Sequence, residues 1–139
     1  MQRTVRLEVP VDNRIEDTIR LYNVVCNQCL KVGFKNKTFN KTKLHNLTYR
    51  NVRRQYPQLN SSFVCAARDQ ASDMLKREKL KRLPLKKRLS SIRFNHNTFK
   101  PFLASGHISM STTFGRIKLP VKVPEYFKRY LSWKIGAAT

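Results

Sequence analysis

At 139 residues, 40% of them apolar, the chain has room for one compact domain or two small lobes sharing a core; this excludes wholesale disorder and a binding module joined to a full nuclease. Its 29 Lys and Arg against 8 Asp and Glu give a formal net charge of +21, a self-repulsion best tolerated when a polyanion neutralises it. There is no apolar run of membrane-spanning length and no signal-peptide core after Met1, so DNA and RNA rather than an anionic membrane are the expected partners, in a cytoplasmic, nucleoid-associated location.

The first element expected is a strand, Thr4 to Val9, with Val5, Leu7 and Val9 on one face and Thr4, Arg6 and Glu8 on the other, ended by Pro10. Asn13 and Glu16 form a capping-box pattern, and Ile15, Ile19, Tyr22, Cys26, Cys29 and Leu30 then share one face of a helix up to Gly33. Phe34 to Lys41 reads as a basic loop. Leu44, Leu47, Val52 and Tyr56 mark a second helix that stops ahead of Pro57, with Arg50, Arg53 and Arg54 on its other face. Ser61 is placed to cap a third helix reaching to about Leu83, with Phe63, Val64, Ala67, Ala71, Met74 and Leu75 inward and a basic end.

From Arg88 onward short apolar runs broken by Asn, Gly and Ser predict strands at Ile92 to Phe94, Phe99 to Leu103, Ile108 to Met110 and Ile117 to Leu119. Thr112 to Gly115 is the expected hairpin turn, and Pro124 to Tyr130 a short helix. A lone first strand is not stable, so it should pair with the later ones. The fold class expected is α+β: a small antiparallel, barrel-like β-module (1–10 and 88–139) with a three-helix bundle (11–87) inserted after the first strand.

The charge is unevenly spread, and the spread points to phosphate. Thr18 to Arg68 holds ten bases and no acid, and Lys79 to Pro124 holds eleven bases and no acid. Lys76, Arg77, Lys79, Lys81, Arg82, Lys86, Lys87 and Arg88 put eight bases into thirteen residues, enough to neutralise several phosphates; the plainer reading is a solvated helix end. Arg50, Arg53 and Arg54, interleaved with Tyr49 and Tyr56, combine guanidinium groups for phosphate or guanine with rings that stack on unpaired bases, although Tyr56 also sits at a core spacing. For reading base edges the candidates are Ser62, Asn95 and Asn97, with helix capping and turn formation as their structural alternatives.

Catalytic chemistry is poorly represented. Cys26-x-x-Cys29 lacks the second pair of a structural zinc site and reads as small residues facing the core, so no metal or other cofactor is expected. Asp69 and Asp73 stand one helical turn apart, but Asp73 also precedes Arg77 at ion-pair spacing, and His45, His96 and His107 are scattered. No nucleophile elbow or phosphate-binding glycine loop is present, and the expectation is a protein that is no enzyme by itself.

Several pieces, in order, resemble a known family. They are the opening strand, Leu21-Tyr22-Asn23, Leu59 to Val64 before a long helix, Ile92 to Asn95, and the hairpin from Ile108 to Pro120. Together they are similar to the N-terminal region of OrfB/TnpB transposon proteins, archaeal members especially, and cover nearly the whole chain. The resemblance implies a wedge-like β-module and an inserted recognition domain that bind a guide RNA and the DNA beside its target. It also implies a RuvC-like nuclease domain beyond Thr139, with motif reading from the start of the third helix (Ser62) and the first returning strand (Asn95, Asn97). The alternatives are a free-standing RNA-binding protein of ribosomal type and one piece of a nuclease completed by another subunit.

Overall fold

The computed structural model describes residues 1–139. Helix α1 spans Asn13–Lys35. Its cap is Asp12 rather than the expected Asn13: one carboxylate oxygen accepts from the Arg14 backbone N–H at 2.8 Å and the other binds the Arg14 guanidinium, so a charged side chain meets the first turn. The helix continues past Gly33. There the glycine serves close packing, since a Cβ would lie 2.9 Å from the Thr38 carbonyl and nearer still to Leu75 Cδ1.

The true stop is Lys37, at φ +50°. Thr38 N–H donates to Gly33 O (2.9 Å) and Lys37 N–H to Phe34 O (3.2 Å), the paired closure of a Schellman motif with lysine in the left-handed seat. Helix α2, Lys41–Gln55, is capped by Asn40, whose Oδ1 accepts from Lys43 N–H at 2.9 Å, and it ends before Pro57 as expected.

Helix α3 spans Ser61–Arg77, with two corrections to its expected form. Asn60, not Ser61, is the cap, its Oδ1 accepting from Ser62 N–H at 2.7 Å. The helix also stops well before Leu83. Lys79 and Leu80 take φ of +53° and +57°, and Leu80 N–H donates to Leu75 O (3.1 Å) while Lys79 N–H donates to Lys76 O (3.0 Å), a second Schellman closure without glycine.

The three helices share a core of buried side chains including Tyr22, Val25, Leu30, Leu44, Phe63 and Leu75. Leu83 to Arg93 then lies along α1 and α3. Asn27 Nδ2 donates to Lys86 O (3.0 Å) and its Oδ1 accepts Lys86 N–H (2.8 Å); one turn earlier, Asn23 Nδ2 donates to Arg88 O (3.0 Å) and Ser90 O (2.9 Å). These two asparagines do for an irregular segment what a neighbouring strand does in a ladder.

Three strands follow, β1 Phe99–Phe102, β2 His107–Thr112 and β3 Gly115–Pro120, in an antiparallel sheet ordered β1-β2-β3. The hairpin turn falls where expected: Thr112 pairs with Gly115 (φ +97°), and Thr112 Oγ1 donates to Gly115 O at 2.7 Å. Ile108, Met110, Ile117 and Leu119 form a second, smaller core closed by Leu7, Ile15, Phe94, Phe99 and Val121. Phe94 joins the two cores, its ring 5.8 Å from Phe63 and 5.3 Å from Phe99. At the other end of the hairpin, Thr113 N–H donates to Thr18 Oγ1 (3.0 Å) and Thr113 Oγ1 donates to Asp17 (2.7 Å), which ties the turn to α1.

The class is α+β, but the sheet is open rather than barrel-like. The expected first strand is reduced to one antiparallel bridge, Glu8 with Lys122, which exchange both backbone hydrogen bonds at 2.8 and 2.9 Å. Prolines explain this. In an antiparallel ladder the flanking hydrogen-bonded pairs would be Arg6 with Pro124 and Pro10 with Pro120, and every one of those prolines lacks the N–H that the pairing needs. Ile92 to Phe94 likewise forms only the bridge of Phe94 with Ala138, because Ile92 is drawn into the helical core and Arg93 toward α3. The expected short helix is a 3₁₀ helix, Glu125–Tyr130.

Candidate nucleic-acid interface

Only seven of the 29 cationic side chains form ion pairs with carboxylates, so 22 are left without one. Asp69 and Asp73, one turn apart on α3, are among the acids engaged with cations. Asp69 accepts from the Arg68 guanidinium (2.8 Å). Asp73 accepts from Arg93 (2.7 Å), with Lys41 Nζ at 3.7 Å. The Arg93 hydrogen bond holds the Asp73 carboxyl below the usual carboxylate range.

The basic run is not one helical face. Lys76 and Arg77 stand exposed on the last turn of α3, and Lys79, Lys81 and Arg82 fan out around the left-handed turn, with Arg82 bonded to Glu78 at 2.9 Å. Lys87 and Arg88 project from the extended segment whose main chain Asn23 and Asn27 hold. Lys86 is set apart from the others. Its ammonium donates to Gln70 Oε1 (3.0 Å) and Ser91 O (2.6 Å) and lies 4.9 Å from the centre of the Tyr22 ring, and half-burial lowers its pKa. Its ammonium is engaged at a half-buried seam, where it bridges the basic segment to α3.

On α2, Arg50 and Arg54 are exposed one turn apart, whereas Arg53 Nη1 donates to Leu59 O and braces the turn into α3. Tyr56 is half-buried against the helical core, and Tyr49 also stacks on His45, rings 4.5 Å apart. Of the base-reading candidates, Ser62 is half-buried at the start of α3 and far in sequence from the asparagines. Asn95 and Asn97 share one turn, where Asn95 Oδ1 accepts from Asn97 N–H (2.9 Å) and Thr98 N–H (3.1 Å). Asn95 thus performs the turn-forming role, while its amide nitrogen and the Asn97 side chain face solvent.

The sheet adds cations that reading the runs did not single out. Lys100, Arg116 and Lys118 occupy the alternate positions to the small core, so they share its outward face. Their signal was present in Arg116-Ile117-Lys118-Leu119, whose period of two sends both bases outward. Farther on, Arg129 lies 4.4 Å from the Tyr126 ring and 5.4 Å from the Tyr130 ring. Cys26 and Cys29 are fully buried, and burial pushes their thiols up to about 12 and about 11. The chain matches no known family model, no curated protein and no solved structure.

Proposed function

We propose that this chain is a nucleic-acid-binding module that contacts phosphate through Lys76, Arg77, Lys79, Lys81, Lys87 and Arg88, together with Arg50 and Arg54 on α2. The observation that carries the reading is the surplus of 22 cations without carboxylate partners, several of them on a segment whose backbone is already fixed. Fixing the backbone in advance lowers the ordering cost of binding, and releasing counterions from a polyanion supplies the driving force. Base reading falls to the outward groups of Asn95, Asn97 and Ser62. Catalysis falls outside the chain.

Within this reading the best-fitting identity is the N-terminal part of an OrfB/TnpB-type protein, with 1–10 and 88–139 as the wedge-like module and 11–87 as the recognition-like insertion. The Glu8–Lys122 bridge supports it, since that bridge returns the chain to its own start after the helices have intervened. Two measurements test the proposal. Fluorescence anisotropy with RNA hairpins and DNA duplexes carrying randomised flanks should give affinity that falls steeply with salt, and no binding to either at low salt would refute nucleic-acid binding. A reading frame continuing beyond Thr139 into RuvC-type aspartates is the expected result for the family; a stop codon there would count against it.

A further inference from the structure

We infer that the outer face of the three-stranded sheet takes an unpaired stretch of RNA, one base stacking on Phe102 while Lys100, Arg116 and Lys118 hold the adjoining backbone. The inference rests on the nucleic-acid binding proposed above and adds a second kind of site, distinct from the phosphate-contacting cations of α2 and of the run from Lys76 to Arg88. Alternation places Lys100, Phe102, His107, Ser109, Ser111, Arg116 and Lys118 on one side of the sheet, opposite Ile108, Met110, Ile117 and Leu119.

Phe102 is the feature that calls for a ligand. It is 45% exposed although it lies on a paired strand, and its ring stacks on that of its cross-strand neighbour His107 at 4.9 Å and 21°. His107 covers one face of the Phe102 ring and leaves the rest exposed, which suits a platform for a flat base. The charged residues that β1, β2 and β3 put on this face are all cations. Lys100 and Lys118 both pair with Ser109, so they sit two strand spacings apart, about 10 Å, on either side of β2.

Arg116 is laid across the strands between them. Its Nε donates to Ser109 Oγ (2.8 Å), and its Nη1 donates to Asn97 O (2.6 Å) and Ser111 Oγ (3.2 Å). These bonds fix the guanidinium flat on the sheet and leave Nη2 without a partner in the chain, so the cation is preorganised for a ligand. No carboxylate occurs in the sequence from Lys79 to Pro124, which holds all three strands.

A duplex does not suit this face, because its bases are already stacked on one another and it would meet Phe102 with sugar and phosphate alone. An unpaired strand exposes the base faces that the ring can cover. RNA is favoured over DNA because the Nη2 donors have no partner in the chain, and a 2′-hydroxyl offers them an acceptor that deoxyribose lacks.

The test uses the full chain with a single-stranded RNA containing 2-aminopurine, the DNA of the same sequence, and a DNA duplex. Binding of the RNA should quench the 2-aminopurine emission. Phe102→Leu keeps an apolar side chain without the π face; it should abolish the quench and weaken RNA binding by about tenfold, while duplex affinity and the urea midpoint stay unchanged. Lys100→Gln and Lys118→Gln should each lower the salt slope for the single strand by about 0.7. If Phe102→Leu leaves both quench and RNA affinity intact while the duplex still binds, this inference fails and the broader reading survives. If the wild-type chain binds neither probe, the broader reading fails with it. Equal affinity for the DNA strand overturns the assignment to RNA.

Discussion

Asn27→Ala and Asn23→Ala test whether two side chains of α1 hold the basic segment in place. Asn27 makes two hydrogen bonds to the main chain of Lys86, at 2.8 and 3.0 Å, and net values near 1 kcal/mol each put the loss at about 2 kcal/mol. Alanine is the better helix former, which returns about 0.5 kcal/mol and leaves a net cost of about 1.5. Asn23 also makes two bonds, but its Oδ1 is buried without a partner, so deleting it relieves a desolvation penalty and the net cost falls to about 1 kcal/mol. Because both residues grip one segment, the double variant should lose less than the sum, by about 0.5 kcal/mol or more. Urea titrations give the energies, and hydrogen exchange gives the mechanism: the Lys86 amide should lose protection in Asn27→Ala while amides in the middle of α3 keep theirs relative to global stability. Unchanged Lys86 exchange, or strictly additive energies with no local loosening, would refute the clamp.

Lys79→Gly should raise stability by about 0.5–1 kcal/mol in the same titrations, because glycine takes the left-handed seat of the α3 closure without strain, whereas Lys79→Ala should not. Gly33→Ala should do the opposite and lower stability by about 1–2 kcal/mol despite alanine's helix propensity, since the new methyl meets the Thr38 carbonyl and Leu75. Iodoacetamide at pH 8 should leave Cys26 and Cys29 of the native chain unmodified, as read by peptide mass spectrometry after quenching. Folding favours the protonated forms of these two thiols, so their contribution is intact below the ordinary thiol value of 9.0 and is lost as pH rises toward about 11 and about 12; urea midpoints should fall across that window.

Helix cores and the hairpin were legible in the sequence because periodicity is a short-range signal. Tyr22, Cys26, Cys29 and Leu30 recur at helical spacing and are all buried, and Thr112 to Gly115 carries its own turn chemistry. The helix ends were harder. Lys37 and Lys79 occupy seats where glycine is the usual signal, so α1 was expected to stop too soon at Gly33 and α3 to run on toward Leu83. Nor could the alternation in Thr4 to Val9 report its partner, since whether a strand forms depends on the N–H groups opposite, and Pro120 and Pro124 stand there. The charge surplus was legible from composition alone. Which cations remain free was not, because Lys86 and Arg53 differ from their neighbours only in what lies beside them in space.

That difference gives the most direct test of the central claim. The measurement is the slope of log affinity against log salt, on one DNA duplex, for the wild type, for Lys87→Gln with Arg88→Gln, and for Lys86→Gln. Each phosphate contact contributes about 0.9 to the slope, so the double variant should lower its magnitude by nearly 2. Lys86→Gln removes the same formal charge as one of those substitutions, but its ammonium is engaged with Gln70 and Ser91, so it should leave the slope nearly unchanged while lowering the urea midpoint. A wild-type slope near zero, or an equal effect per charge of the exposed substitutions and of Lys86→Gln, would contradict the account.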